Sequence, residues 1–178
     1  MDTLVSSHSI PAPGAAQAHF ADLLQQHQGI VLKVARSYCR DPEDRRDLIQ
    51  DISIQAWRAF PAFDPGKARF STWLYRIALN VAISQQRSLG LRARHRGPLG
   101  DADEPVTTLA PEDDASLRDL HALITQLPAL DRALMLLYLD DCSHREIGEV
   151  LGLSAGNVAT RLHRLRQQIR RQFDPPSA

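Results

Sequence analysis

From residue 17 to 171 the apolar positions recur at three- and four-residue steps, the spacing of one face of an α-helix. Phe20, Leu23, Leu24, Val31, Val34, Ala35 and Tyr38 make the first stripe, read as one helix ending near Arg40. Pro42 disfavours helix at the residue before it, and Asp41-Pro42 supplies the cap and first turn of the next helix. Leu48, Ile49, Ile52, Ala56, Trp57 and Phe60 continue that helix, while Asp44, Asp47, Gln50, Asp51 and Gln55 share its other face as an acidic ridge. The stretch PAFDPGKARF reads as a loop. A third helix then opens at Ser71 or Thr72, with Phe70, Trp73, Leu74, Ile77, Ala78 and Val81 inward. Alternating apolar and polar runs are absent, so no strand is expected.

The pattern lapses over 97–116 and resumes with Leu117, Leu120, Leu123, Ile124 and Leu127. Pro128 breaks it, and Leu130, Leu134, Leu137 and Tyr138 carry the next helix to Asp140-Asp141. The last stretch, SHREIGEVLGLSAGNVATRLHRLRQQIRR, is the most informative. Ser143 and Glu146 have capping-box spacing, Ile147, Val150 and Leu151 form a stripe, Gly152 suits a left-handed turn and Ser154 suits a second cap. Gly148 is a small residue where two helices could cross closely. Val158, Leu162, Leu165 and Ile169 share one face of the following helix, and Asn157, Thr160, Arg161, Arg164 and Gln168 the other. This is the pattern of a helix-turn-helix whose second helix enters the major groove of DNA. Arg pairs bidentately with guanine and Asn with adenine. An ordinary amphipathic hairpin with a solvated basic face is the plainer reading of the same residues.

Charge sharpens the division. The formal net charge is zero, which by itself argues against nucleic acid. Its distribution does not: thirteen Lys/Arg face eight Asp/Glu up to Arg96, none face six over 97–116, and eight face seven beyond. The fold class expected is all-α. Two small helical domains, 17–96 and 117–173, are joined by a flexible acidic linker, with a disordered lead-in over 1–16 and a tail over 174–178. Apolar residues at 43% suffice for packed cores. Cys39 and Cys142 lie far apart without zinc-ligand spacing and read as buried or half-buried thiols. No apolar run is long enough to span a bilayer, and the N-terminus lacks the pattern of a signal peptide, so the cytoplasm is the expected compartment.

Aromatic residues interleaved with Lys67, Arg69, Arg76 and Arg87 suit single-stranded nucleic acid, where rings stack on bases and cations hold the backbone. Phe63, Phe70 and Trp73 are equally candidates for core, Phe70 and Trp73 at least in part. A carboxylate-dependent nuclease using Asp44, Asp47 and Asp51 lacks an accompanying His or Lys base, so no enzyme is expected.

Taken in order over residues 20–171, these motifs resemble the extracytoplasmic-function sigma factors, the small two-domain members of the bacterial sigma family. The resemblance rests on DRRDLIQDISIQAWRAF, FDPGKARFSTWLYRIALNVAISQQR and LPALDRALMLLYLDDCSHREIGEVLGLSAGNVATRLHRLR. It implies that Asp47, Gln50, Asp51 and Trp57 dock on the β′ clamp helices of RNA polymerase core, with the β flap as a second contact. Where the family more usually carries an acidic pair just before this segment, the chain has Arg45-Arg46. It implies that the loop over 63–71 captures a flipped base of the minus-ten element. Lys67, Arg69, Trp73, Arg76, Asn80, Ser84 and Arg87 would contact that DNA. It further implies that Ser154, Gly156, Asn157, Thr160, Arg161 and Arg164 read the minus-thirty-five element, Arg161 and Arg164 foremost. The acidic linker would thread a polymerase channel. The implied partners are polymerase core, promoter DNA in double- and single-stranded form, and an anti-sigma factor, with no cofactor, no metal and no membrane insertion. The competing function is a stand-alone helix-turn-helix regulator whose N-terminal helices sense a ligand or dimerise.

Overall fold

The computed structural model describes residues 13–96 and 115–173, and the described residues are helical throughout apart from caps and short turns. The first module holds α1 (Pro13–Gln26), α2 (Gln28–Tyr38), α3 (Pro42–Ala59), a single 3-10 turn (Phe60–Ala62) and α4 (Phe70–Arg96). The second holds α5 (Ala115–Gln126), α6 (Ala129–Leu139), α7 (His144–Leu151) and α8 (Ala155–Phe173). Most of the linker expected over 97–116 lies outside the described residues, as does the lead-in up to residue 12.

The first helical stretch differs from the sequence reading in two ways. The helix expected from 17 to about 40 is two helices, broken at His27, and it starts earlier, at Pro13. The imidazole Nδ1 of His27 donates to the Leu23 carbonyl (2.9 Å), alongside the backbone N–H of the same residue (3.1 Å). A side chain that competes for a carbonyl loosens the ladder at that point. The break spans one residue and keeps the apolar stripe nearly in phase, so periodicity alone does not reveal it. It lets α1 turn Phe20 against Trp57 and Phe60, with ring centroids 5.2 and 5.0 Å away.

Asp41 caps α3 as expected, its Oδ1 accepting from the N–H groups of Glu43 (2.7 Å) and Asp44 (3.1 Å) with Pro42 in the first turn. Val31, Val34 and Ala35 of α2, Leu48, Ile52 and Ala56 of α3, and Leu74, Ala78, Leu79 and Ala82 of α4 fill the first core. Ile124 of α5 and Leu127 just beyond it, Leu134 and Leu137 of α6, Ile147 and Val150 of α7, and Val158, Leu162 and Leu165 of α8 fill the second.

Helix α6 is buried all the way round from Arg132 to Leu137. A helix buried on every side has packing partners on every side. Its own module covers one side, and α2 and α4 of the first module cover another. The two modules therefore pack against each other along α6 and α7.

Gly148 has a different neighbour from the one its size suggests. A Cβ built there would lie 2.5 Å from the Leu153 carbonyl oxygen, in the turn rather than on a crossing helix. Gly152 adopts the left-handed conformation at φ 69°, and the N–H of Leu153 returns to the Gly148 carbonyl (3.0 Å). Gly148→Ala should therefore destabilise the protein by about 1–3 kcal/mol, the usual cost of overpacking against an unyielding group. Gly156→Ala, whose Cβ would enter open space, should be near neutral or slightly stabilising. Urea unfolding of the two variants checks this, and equal losses would contradict it.

Candidate functional site

Three surfaces carry the residues singled out by the sequence. The first is the outer face of α3. Asp47, Gln50 and Asp51 are exposed there, with Asp44 and Gln55 extending the ridge. Trp57, 41% exposed, ends it, its ring packed on Phe20 and stacked at 6.5 Å from Phe60. The sequence placed Trp57 both in the apolar stripe and at a surface. The structure gives it one packed edge and one open face. Ile54, 38% exposed, lies on the same helix and was missed, since one isoleucine among polar neighbours gives no periodic signal.

The second surface is the loop between α3 and α4 with the outer face of α4. Asp64 organises the loop: its carboxylate accepts from the Gly66 N–H (2.9 Å) and pairs with the Lys67 ammonium (3.3 Å). This is the local Asx pattern that tightens a turn. Behind it Phe60, Phe63, Phe70 and Trp73 form one ring cluster, with Phe63 5.1 Å from Trp73 and 5.5 Å from Phe70. Phe70 is buried, and Phe63 and Trp73 are half-buried, so the cluster is both core and wall. Asn80, Ser84 and Arg87 are exposed along α4. An open groove of about 630 Å³ between α3 and α4 brings Asn80 and Ser84 together with Asp51 and Gln55 over a floor of Ala59, Ile77 and Val81. The sequence had assigned Asp51 and Asn80 to separate surfaces.

Arg69 and Arg76 are both exposed, and each also reaches the second module. The Arg69 guanidinium lies 3.8 Å from the Glu146 carboxylate, and Arg76 donates to the Glu149 carbonyl, both on α7 of the second module.

The third surface is α7, its turn and α8. The Ser143 hydroxyl accepts from the Glu146 N–H (3.2 Å), and the Glu146 carboxylate accepts from the Ser143 N–H (2.9 Å), a complete capping box. Donation to this carboxylate by the Ser143 N–H, and next by the Ser143 hydroxyl (2.8 Å), holds the Glu146 carboxyl below the usual carboxylate range, with Arg69 and Arg145 adding a smaller effect. The Ser154 hydroxyl accepts from the Asn157 N–H (3.2 Å) and caps α8. Ser154, Gly156, Asn157, Thr160 and Arg164 are exposed. Thr160 turns its hydroxyl back to the Gly156 carbonyl (2.9 Å). Arg161 leans toward α6 and pairs with Asp131 at 3.2 Å, so Arg164 is the more open of the two arginines. A groove of about 540 Å³ groups Arg164 with Gln167, Gln168 and Arg171. Gln167 and Arg171 extend this surface beyond the residues named from sequence, Arg171 adding a further cation.

Cys39 and Cys142 are free and half-buried, and burial pushes both thiols up. Among the described residues no three His, Cys, Asp or Glu side chains are grouped to hold a metal ion. No helix among them is long and apolar enough to cross a membrane.

Both modules match known family models: sigma-70 region 2 over residues 23–92 and sigma-70 region 4 over 117–169. The chain is 34% identical to the ECF RNA polymerase sigma factor SigE of Mycolicibacterium smegmatis over 88% of its length, spanning 62% of that protein. It is 32% identical to the ECF RNA polymerase sigma factor SigW of Bacillus subtilis, covering 88% of this chain and 90% of the relative. Among solved structures, CnrH in complex with the cytosolic domain of CnrY is 27% identical, with a TM-score of 0.65 over 92% of this chain and 95% of that one. The sigma factor RpoE of Bartonella quintana, solved with the anti-sigma factor NepR, shares the fold at 21% identity, with a TM-score of 0.75 over 89% of this chain and 99% of that one. With both sigma-70 regions matched in order and a relative covered nearly end to end, the chain belongs to the ECF sigma factors of bacterial RNA polymerase.

Proposed function

We propose that this sigma factor docks on polymerase core through the α3 ridge, reads and melts the minus-ten element with the α3–α4 loop and α4, and reads the minus-thirty-five element with α8. The observation that carries this reading is the separation of surfaces. An acidic face with one open tryptophan lies on the first module, beside a ring-walled loop, and a basic helix-turn-helix lies on the second. Complementary charge steers docking to a protein partner, which gives the acidic ridge a purpose in a DNA-binding chain. Extruding a base costs a few kcal/mol, which contact with rings such as the half-buried Phe63 and Trp73 would offset. Two modest DNA contacts on one chain reinforce each other without either being tight.

In this division the first module, α1 to α4, docks and reads the minus-ten element, the second, α5 to α8, reads the minus-thirty-five element, and the acidic stretch between them is the connector. Work on polymerase places the protein in the cytoplasm, and it acts by binding rather than by catalysis. Two related chains were solved with CnrY and with the anti-sigma factor NepR, which supports an anti-sigma factor as a further partner here. A stand-alone regulator is not favoured, because the family match includes the first module as well as the helix-turn-helix.

Two variants separate the roles. Arg164→Ala should weaken binding to a minus-thirty-five duplex about five- to 150-fold, the range of about 1–3 kcal/mol for a direct base contact, while core binding stays unchanged. Loss of core binding with DNA affinity intact would reverse the assignment. Asp47→Arg combined with Asp51→Arg should abolish association with core polymerase in a pulldown while the same chain still binds the duplex. Arg161→Ala is the less clean test, since it also breaks the pair with Asp131.

A further inference from the structure

Arg161 and Arg164 lie one turn apart on the polar side of α8, yet they are held in different ways. Arg164 is exposed and has no carboxylate partner among the described residues. Arg161 is half-buried and turns its Nη1 to the Oδ1 of Asp131 at 3.2 Å. Asp131 lies 30 residues earlier, in the first turn of α6, and α6 packs against α8.

A carboxylate at a helix start ordinarily serves that helix, whose first N–H groups lack partners. The start of α6 has no side-chain cap, its N-cap being Pro128. The Asp131 carboxylate instead accepts from an arginine of another helix. Stability does not account for the pair. Its side chains are 40% and 25% exposed, and a pair so open to water adds little to folding. For a DNA reader the placement is also unfavourable, because a carboxylate beside the α8 surface repels the phosphates of every sequence. Such a repulsive group improves discrimination where it weakens the wrong sequences more than the right one.

The guanidinium supplies that difference. It carries five N–H donors in a planar fork. With Nη1 held by Asp131, the rest of the fork makes no other hydrogen bond among the described residues. A free arginine swings among rotamers and settles on any phosphate in reach. One docked on a carboxylate presents a fixed fork, the geometry that O6 and N7 of guanine accept. Fixing the side chain beforehand also removes its ordering from the binding step.

We infer that Asp131 is a positioning residue for base reading: it holds Arg161 toward a guanine edge and keeps it from acting as a nonselective phosphate anchor. The inference rests on the minus-thirty-five role proposed above for α8.

A double-mutant cycle on the full-length protein bound to core polymerase tests this. The probes are a duplex promoter fragment recovered by transcription with this factor and the same fragment with its minus-thirty-five segment scrambled. The readout is the ratio of their two dissociation constants. Asp131→Ala should lower that discrimination about five- to tenfold, the low end of the range for one base contact, since Arg161 itself remains. Scrambled DNA should bind more tightly and the promoter fragment less, with the thermal midpoint nearly unchanged. Asp131→Asn, whose amide oxygen still accepts from Nη1, should fall between Asp131→Ala and the parent. In an Arg161→Ala background, Asp131→Ala should leave the ratio where it stands, because Asp131 acts through Arg161. An unchanged ratio in Asp131→Ala overturns the inference, as does a further loss in the Arg161→Ala background. Equal weakening of both duplexes, the mark of a merely structural role, overturns it too. Failure of the underlying reading shows separately: a parent protein with equal affinity for both duplexes overturns the minus-thirty-five role of α8 and the inference with it.

Discussion

Arg132 is the group on which the arrangement of the two modules most depends. Helix C-termini leave carbonyls without intrahelical donors. The guanidinium of Arg132 meets that need at two helix ends together: Thr125 and Leu127 at the end of α5, and Ser37 at the end of α2. Burial lowers its affinity for the proton, and the Tyr38 hydroxyl facing it acts in the other direction. It remains charged, since an arginine in a protein does not lose its proton near neutral pH. Each carbonyl deprived of its donor would cost about 1–3 kcal/mol, and a lysine could not span the three with its single ammonium. The corner between α5 and α6 and the seat of α6 on the first module thus share one side chain.

Local chemistry made much of the fold legible. Asp41-Pro42, the Ser143–Glu146 box, Gly152 and Ser154 each specify a helix end through bonds to residues two to four positions away, and each forms as read. The apolar stripes of α3, α4 and α8 are likewise local, and their inward faces are buried. His27 was not legible, because a one-residue break preserves the phase of the stripe. Gly148 was legible as a place of close approach but not as to which neighbour, which is a backbone oxygen five residues on.

The packing of one module on the other was not legible for another reason. Lys33 and Tyr75 meet Asp140 across 107 and 65 residues, and nothing in the local pattern marks a charged residue as destined for a distant partner. The pairing of Arg161 with Asp131 is the same kind of omission. One signal was present: α6 has too few polar positions for a helix with a solvated side, since the run from Ala133 to Leu137 is wholly apolar. The exposure of Asp47, Gln50, Asp51, Asn157 and Thr160, by contrast, follows from helical phase once the buried face is known.

Under the roles proposed for these surfaces, a chain of zero net charge would work on DNA by spatial division of its charges, acidic on α3 for a protein partner and basic on α8 for a duplex. Affinity for the promoter then need not reside in either DNA-reading module alone, since polymerase brings both to the template. The most direct test is transcription in vitro with purified core polymerase on a library of genomic fragments. The account predicts initiation at a defined set of promoters, dependent on the added chain. Folded protein that yields no transcripts above core alone would contradict it.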